Sequence, residues 1–301
     1  MYDLIVIGGG PAGLTATAYA IRKRLNVLML TKDLGGKTQY RLALPWIQEY
    51  QVIRGLEIVN KFHSELEYLE FARKLDTAEK VTKSGDHFVV TTKGGETLET
   101  KAVIVATGIR QVRLGVAGEK EFTMRGLCYS ALSYAPLFID KTAIVFGDGD
   151  LGLRSAAELA TVAKHVTLVC KDAKMLSTPL GKKLASAKNV TVLKDHQVVE
   201  FKGDEFAEGV VLKDAGGKSL ELQADGMFIE MAHTPMSQMV AELVKLDERG
   251  RIVVDSASRT NVPGVFAAGD VTNAYAEQVL VAVGDGAKAA LSAYEFLLPT
   301  L

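Results

Sequence analysis

Residues 1–31 read MYDLIVIGGGPAGLTATAYAIRKRLNVLMLT, and the fold class can be inferred from this segment. Residues 4–7 form a short apolar run, which is typical of a strand buried on both faces of a parallel sheet. A glycine-rich turn follows, and residues 14–24 are rich in alanine and leucine with basic residues at the end, as in a helix. Residues 26–30 predict a second strand. The order strand, turn, helix, strand predicts a dinucleotide-binding unit.

The turn carries the pattern G-x-G-x-x-G, in which each glycine has a physical purpose. Gly8 permits the tight turn, Gly10 lets the backbone approach a pyrophosphate, and Gly13 allows the helix to pack closely. The start of the helix adds positive electrostatic potential for an anion. The carboxylate that usually follows the second strand and binds a ribose is replaced by Thr31 and Lys32.

The same pattern occurs a second time in the middle of the chain. Residues 142–146 predict a strand, residues 147–152 repeat G-x-G-x-x-G, residues 155–163 predict a helix, and residues 166–169 predict the next strand. Two such units suggest two bound dinucleotides.

The second turn contains two carboxylates, Asp148 and Asp150, beside the place where a pyrophosphate would bind. Negative charge there weakens binding unless the side chains point away. The end of the following strand reads Cys170-Lys171-Asp172, and one lysine beside one aspartate selects neither NADH nor NADPH. A retained fold without nucleotide binding therefore stays open as an alternative.

Composition excludes several functional classes. The chain has 35 basic and 36 acidic residues and a net charge of -1, so we expect no nucleic-acid partner and no membrane partner. Residues 4–21 carry no charge, but their glycines argue against a membrane span. The two cysteines, Cys128 and Cys170, lie far apart, and we expect no disulfide scaffold, no metal site and a cytoplasmic location. We expect Cys128 to be a buried, inert thiol.

Six further segments match one group of flavoproteins when they are taken together. They are AVIVATG at 102–108, PGVFAAGD at 263–270, GGK at 35–37 (G-G-Q in the group), LGVAGE at 114–119, HTP at 233–235 and AEQV at 276–279. With the first glycine turn, these segments resemble the low-molecular-weight thioredoxin reductases and the reductase part of the alkyl hydroperoxide reductase flavoprotein subunit. The resemblance covers nearly all of the chain.

This resemblance implies an α/β fold with two nested Rossmann-like, three-layer dinucleotide-binding domains, the FAD/NAD(P)-binding fold. A discontinuous FAD-binding domain would comprise residues 1–113 and 242–301, with an NAD(P)H-binding-like domain at 114–241. The resemblance also implies a homodimer.

Residue by residue, the resemblance implies two sets of cofactor contacts. The FAD contacts would be Gly8, Gly10, Pro11, Ala12, Gly13, Thr31, Lys32, Gly35, Gly36, Lys37, Thr38, Thr107, Gly108, Gly269, Asp270, Gln278 and Val279. The NADH or NADPH contacts would be Gly147, Gly149, Asp150, Leu151, Gly152, Lys171 and His233.

The resemblance also places a redox-active C-x-x-C pair where this chain has Ser130 and Ser133. Serine hydroxyls cannot cycle between dithiol and disulfide. We therefore predict an FAD-dependent enzyme that passes electrons from NADH or NADPH to a non-disulfide acceptor such as ferredoxin, flavodoxin or a small molecule. Two alternatives stay open: a flavoprotein fed by a protein donor instead of NAD(P)H, and a non-enzymatic flavin-binding redox sensor or partner module. No catalytic side chain is identified.

Overall fold

The computed structural model describes residues 1–50, 56–67, 69–171 and 173–301. The chain forms two compact units. Unit 1 comprises Met1–Gln39, Ile53–Arg110 and Thr234–Leu301, and unit 2 comprises Tyr40–Val52 and Gln111–His233. The assignment of one cofactor to each domain, with boundaries near residues 113 and 242, stays a prediction.

Strands and helices alternate around the two glycine turns, whereas the strands within residues 73–111 and within residues 190–267 follow one another without an intervening α-helix. The strands are β1 Tyr2–Ile7, β2 Val27–Thr31, β3 Leu42–Leu44, β4 Ile47–Tyr50, β5 Arg73–Leu75, β6 Ala78–Ser84, β7 His87–Thr92, β8 Thr97–Val105, β9 Ile109–Gln111, β10 Leu127–Cys128, β11 Thr142–Phe146, β12 His165–Cys170, β13 Val190–Lys194, β14 Gln197–Gly203, β15 Ala207–Lys213, β16 Ser219–Gln223, β17 Gly226–Ile229, β18 His233–Pro235 and β19 Val265–Ala267. The helices are α1 Pro11–Arg22, α2 Leu56–Glu67, α3 Glu119–Phe122, α4 Ala131–Tyr134, α5 Asp150–Ala160, α6 Pro179–Ala185 and α7 Val279–Leu297.

Unit 1 is built on a sheet in the order β5-β2-β1-β8-β7-β6, with β19 also paired to β8. Strands β5, β2, β1, β8 and β19 are parallel, whereas β7 and β6 are antiparallel to their neighbours. Leu4 and Val6 of β1 pack on the small residues of α1 and α7, while Ile5 and Ile7 pack on the opposite face with Phe88. The alternation of side chains along β1 therefore separates two cores.

Unit 2 repeats this layered design. Its parallel sheet has the order β10-β17-β11-β12-β13. Ala143 and Val145 of β11 face a core that includes residues of α4, α5 and α6, and Ile144 and Phe146 face the antiparallel sheet β14-β15-β16. Each unit thus has three layers, and the fold class predicted from the sequence is confirmed.

The hairpin of β3 and β4 packs with unit 2, although the segments that flank it belong to unit 1. Leu42 and Leu44 are fully buried in the unit 2 core beside Phe138. The Ala43 N–H donates to the Met124 carbonyl at 2.9 Å, and the Gly126 N–H donates to the Ala43 carbonyl at 3.0 Å. These contacts join the hairpin to unit 2 through both side chains and backbone.

The strand and helix predictions for both glycine turns are confirmed with shifts at the ends. The first helix begins at Pro11 rather than at residue 14, and the second begins at Asp150 rather than at residue 155. Both helices therefore start inside the glycine pattern. Among the described residues, no helix is long and apolar enough to cross a membrane.

One buried hydroxyl in α5 provides a test of the packing in unit 2. Ser155 is fully buried, and its Oγ has no hydrogen-bond partner within the described part of the chain. Because an unsatisfied buried polar group costs about 1–3 kcal/mol, Ser155→Ala is expected to raise the free energy of unfolding by about 1 kcal/mol, measured by denaturant titration. The exposed Ser186 already donates to the Lys183 carbonyl at 2.9 Å, so Ser186→Ala is the control and should not stabilise. A loss of stability in Ser155→Ala would contradict this account.

Candidate functional site

The three glycines of the first G-x-G-x-x-G pattern differ in how much space each has for a side chain. A Cβ on Gly8 would lie 2.3 Å from the Ala106 carbonyl oxygen, and one on Gly13 would lie 1.8 Å from the Gly8 carbonyl oxygen. A Cβ on Gly10 would meet no atom of the described residues within 4 Å. Packing thus requires glycine at Gly8 and Gly13, whereas Gly10 leaves an open approach to the N-terminus of α1.

Other predicted FAD contacts converge on this turn. The Gly35 N–H donates to the Gly9 carbonyl at 2.7 Å, and a Cβ on Gly36 would lie 3.3 Å from the Gly10 Cα. A Cβ on Gly269 would lie 3.1 Å from the Ala12 Cβ. Three segments that are distant in sequence therefore meet at the start of α1.

A charged pair spans two of these segments. Lys37 Nζ lies 2.8 Å from Asp270 Oδ2, and the Asp270 side chain is only 14% exposed. The carboxylate thus lies in a partly buried position beside the glycine turn. A carboxylate can accept hydrogen bonds from sugar hydroxyls, and the open start of a helix can bind a pyrophosphate. These groups fit the pyrophosphate and the ribityl chain of FAD.

The remaining predicted FAD contacts in unit 1 have diverse local environments. Thr38 Oγ1 donates to the Gly35 carbonyl at 2.7 Å, and Thr31 Oγ1 donates to the Asp33 carbonyl at 2.6 Å. Thr107 Oγ1 donates to the Met236 carbonyl. Further positions are Pro11 as the first residue of α1, Lys32 exposed after β2, Gly108 at φ +70°, and Gln278 and Val279 at the start of α7.

The second glycine turn connects β11 to α5 with the same kind of packing. A Cβ on Gly147 would lie 2.7 Å from the Gly152 Cα, so these two glycines must remain small. Gly149 has φ +99°, a conformation that favours glycine. Asp150 is the exposed first residue of α5, and Leu151 follows it in the helix.

The structure shows where the Asp148 side chain points. Asp148 Oδ1 accepts a hydrogen bond from the Lys171 backbone N–H at 2.6 Å, which directs the carboxylate to the end of β12. The Gly149 N–H donates to Met175 Sδ at 3.1 Å. One of the two carboxylates in this turn is therefore engaged with the backbone of the neighbouring strand.

A cavity of about 280 Å³ adjoins this turn at the carboxyl ends of β11 and β12. Its lining includes Gly147, Asp148 and Lys171, together with His196 and Met231. Neither His196 nor Met231 is assigned to a site by the sequence motifs. The available signal was their position just after β13 and β17, because the ends of parallel strands meet at one edge of a sheet. His233 belongs to β18 and is not among the lining residues.

The segment LGVAGE forms a buried polar network beside the same cavity. Glu119 accepts hydrogen bonds from the Leu114 N–H at 3.1 Å, the Gly115 N–H at 2.6 Å and the Tyr129 hydroxyl at 3.1 Å. Leu114 and Val116 line the cavity. This motif therefore supports a cavity wall from within, through a carboxylate that is itself buried.

Ser130 and Ser133 lie together at the start of α4. Ser130 is the N-cap residue, and its Oγ donates to Ser133 Oγ at 2.9 Å. The intervening Ala131 N–H donates to Oε1 of the buried Glu230 at 2.6 Å. The two hydroxyls thus occupy neighbouring positions on a well-anchored turn.

Both cysteines are buried. Burial raises the pKa of the Cys128 thiol well above its ordinary value, and the charge of Glu230 adds to the rise. Cys170 is also buried, at the end of β12. Over the described ranges, no group of three or more His, Cys, Asp or Glu side chains is placed to hold a metal ion.

These thiols are expected to be unreactive in the folded protein, because the thiolate is the reactive species and burial disfavours it. Native protein mixed with dithionitrobenzoate at neutral pH should release no thionitrobenzoate over minutes, and unfolded protein should release two equivalents, one from each cysteine. The exposed variant Ser186→Cys is the positive control and should react rapidly. Rapid reaction of the unmodified folded protein would contradict the burial of Cys128.

Residues 2–286 match the family described as "Pyridine nucleotide-disulphide oxidoreductase". The chain belongs to this family. The family description denotes oxidoreductases that use a pyridine nucleotide.

The chain is also similar to individual proteins and to a solved structure. The chain is 35% identical to the F subunit of alkyl hydroperoxide reductase from Pseudomonas aeruginosa over 99% of this chain and 59% of that protein. It is 31% identical to an NADH dehydrogenase of Bacillus subtilis over 99% of this chain and 59% of that protein. The chain therefore spans less than two thirds of the length of these relatives. The thioredoxin reductase of Streptococcus pyogenes has 32% identity and a TM-score of 0.87, with 99% of each chain covered.

Proposed function

We propose that this chain passes electrons from NADH or NADPH, by way of FAD, to an acceptor that is not a disulfide, such as ferredoxin, flavodoxin or a small molecule. The observation that carries the proposal is the hydrogen-bonded pair of Ser130 and Ser133, at 2.9 Å, at the position where the resemblance places redox-active cysteines. Hydroxyl groups at this position cannot accept electrons from the flavin. The buried thiols Cys128 and Cys170 provide no alternative pair within these 301 residues.

The residues of unit 1 supply binding and orientation for the flavin cofactor. The open approach at Gly10 and the start of α1 would hold the pyrophosphate, and the Asp270 carboxylate would accept a hydrogen bond from a sugar hydroxyl. When it is bound, FAD supplies hydride acceptance and release of electrons singly or in pairs. The chain's own contribution is position and electrostatics.

The residues of unit 2 would bind the pyridine nucleotide. The start of α5 and the glycine turn at Gly147 and Gly149 would face the pyrophosphate, and the adjoining cavity would accept the adenosine end. The contact between Asp148 and the Lys171 N–H supports this assignment, because the N–H dipole partly offsets the negative charge and holds the carboxylate at the end of β12. Asp150 remains at the first position of α5.

The test is anaerobic stopped-flow reduction of the purified flavoprotein by NADH and NADPH in turn, followed by the addition of acceptors. We expect at least one nucleotide to bleach the flavin absorbance within seconds. The reduced protein should then reduce ferredoxin, flavodoxin or an artificial one-electron carrier, but not thioredoxin disulfide. Bleaching by neither nucleotide would favour a protein-fed flavoprotein or a non-enzymatic flavin-binding module. Reduction of the disulfide would overturn the proposed acceptor class.

The proposal includes a homodimer in the cytoplasm. Dimers with twofold symmetry are the commonest oligomers, and the near-zero net charge provides little repulsion between copies. One chain has a mass of 32.4 kDa, and light scattering coupled to size-exclusion chromatography should give twice that mass. The mass of a single chain would contradict the dimer.

A further inference from the structure

The ion pair of Lys37 and Asp270 joins two turns that are 233 residues apart. Lys37 lies in the 3₁₀ turn Gly36–Gln39, and Asp270 lies in the 3₁₀ turn Gly269–Val271. The Nζ–Oδ2 distance is 2.8 Å, and the two side chains are 39% and 14% exposed. This partial burial shields the pair from solvent more than a fully exposed pair is shielded. Solvent and salt therefore screen the attraction between the two charges less.

Both ends of the pair are fixed to the first glycine turn. The Lys37 turn is anchored by the Gly35 N–H on the Gly9 carbonyl. The Asp270 turn packs through Gly269 against Ala12 of α1 and is closed by Thr272 Oγ1, which donates to the Gly269 carbonyl at 2.8 Å. The pair therefore forms a bridge across the cradle in which we place FAD.

The bridge depends on a residue that differs from the flavoprotein group that the chain resembles. That group has a glutamine where this chain has Lys37. A neutral amide can donate a hydrogen bond to Asp270, but it does not offset the negative charge of the carboxylate. A charge-assisted hydrogen bond is also stronger, by about a factor of two in energy. Lysine at this position thus holds the Asp270 carboxylate more strongly and makes the net charge of the cradle less negative.

We infer that Lys37 is a positioning residue for FAD that acts through Asp270. Its ammonium group holds the carboxylate in place for the sugar hydroxyl and offsets a negative charge that would oppose the uptake of electrons by the flavin. This inference rests on the proposed function only in placing FAD at the first glycine turn.

The experiment compares apoprotein variants in two measurements, FAD affinity by fluorescence titration and the midpoint potential of the bound flavin by dye equilibration. We expect Lys37→Gln to weaken FAD binding about tenfold, which corresponds to about 1.4 kcal/mol, and to lower the midpoint potential. Lys37→Arg should restore both. In an Asp270→Asn background, Lys37→Gln should have no further effect on affinity, because the partner through which Lys37 acts has been neutralised.

A matched control is available in the same unit. Lys101 Nζ lies 2.8 Å from Asp3 Oδ1, with the side chains 29% and 18% exposed, at the opposite end of β1 from the glycine turn. Lys101→Gln should change neither FAD affinity nor midpoint potential.

Three results would overturn the inference. Unchanged FAD binding in Lys37→Gln would show that Lys37 does not position the carboxylate for FAD, and tighter binding would mean that Lys37 competes with FAD for Asp270. An unchanged midpoint potential, or equal effects of Lys37→Gln with and without Asp270→Asn, would show that Lys37 does not act through the carboxylate. Failure of the unmodified apoprotein to take up FAD would contradict the proposed function itself. Failure of the inference about Lys37 alone is therefore distinguishable from failure of the proposed function.

Discussion

Gly10→Glu is expected to abolish FAD binding while leaving the fold intact. A side chain at Gly10 meets no described atom within 4 Å, and its φ of -75° suits any residue. A carboxylate at the start of α1 is even stabilised by the helix dipole. The same carboxylate would occupy the approach of the pyrophosphate, and like charges in contact cost several kcal/mol. We expect FAD affinity to fall at least about 100-fold, measured by fluorescence titration of the apoprotein.

Two variants serve as controls for this result. Gly284 also leaves its Cβ position open and is exposed on α7, so Gly284→Glu should retain FAD affinity. Gly13→Val should disrupt the turn itself, because even a Cβ would lie 1.8 Å from the Gly8 carbonyl oxygen. Circular dichroism of the apoproteins should therefore separate Gly10→Glu, which stays folded, from Gly13→Val. Retention of normal FAD affinity in Gly10→Glu would contradict the assignment of this turn.

Both nucleotide-binding-like units could be predicted from the sequence because their signals are local. The apolar run of β1, the glycine turn and the small residues of α1 lie within 22 residues and agree with one another. In the second unit, residues 142–146 predict a strand, and β11 spans Thr142–Phe146 in the structure. Consistent local preferences of this kind specify a structure strongly.

Features that depend on distant contacts could not be predicted in the same way. The hairpin of β3 and β4 lies between two segments of unit 1 and packs with unit 2, and nothing in its own sequence indicates the core that buries Leu42 and Leu44. The direction of the Asp148 side chain depends on a backbone N–H 23 residues away. The sequence shows the charge of such a residue but not the donor that it contacts.

The pairing of Lys37 with Asp270 illustrates the same limit at the candidate site. Each residue could be assigned to the FAD cradle from its own motif, but their 2.8 Å contact depends on two turns that meet at α1. The charge of each residue is evident from its own position in the sequence, whereas the pairing of the two charges depends on where both residues lie in the fold. The functional consequence of Lys37 therefore emerges only when both turns are placed.

Ser130→Cys combined with Ser133→Cys is expected to form a disulfide. The two Oγ atoms are 2.9 Å apart on a turn that is held by the Ala131 N–H on Glu230, so thiols at these positions would lie close enough to react with each other. Oxidation by diamide would remove one hydrogen from each thiol and form the S–S bond. Mass spectrometry should show the loss of two hydrogens, and native dithionitrobenzoate titration should detect no additional thiol.

The short loop limits the stability gained, because a cross-link four residues wide restricts the unfolded chain little. Chain-entropy arguments give about 2 kcal/mol for such a loop, measured as the difference in free energy of unfolding between oxidised and reduced double variant. Each single variant should keep a free thiol after the same treatment and show no stabilisation. If the double variant kept both thiols after diamide treatment, the serine turn would not have the geometry of a redox pair. In that case the loss of disulfide chemistry would involve more of unit 2 than the exchange of two sulfur atoms for oxygen.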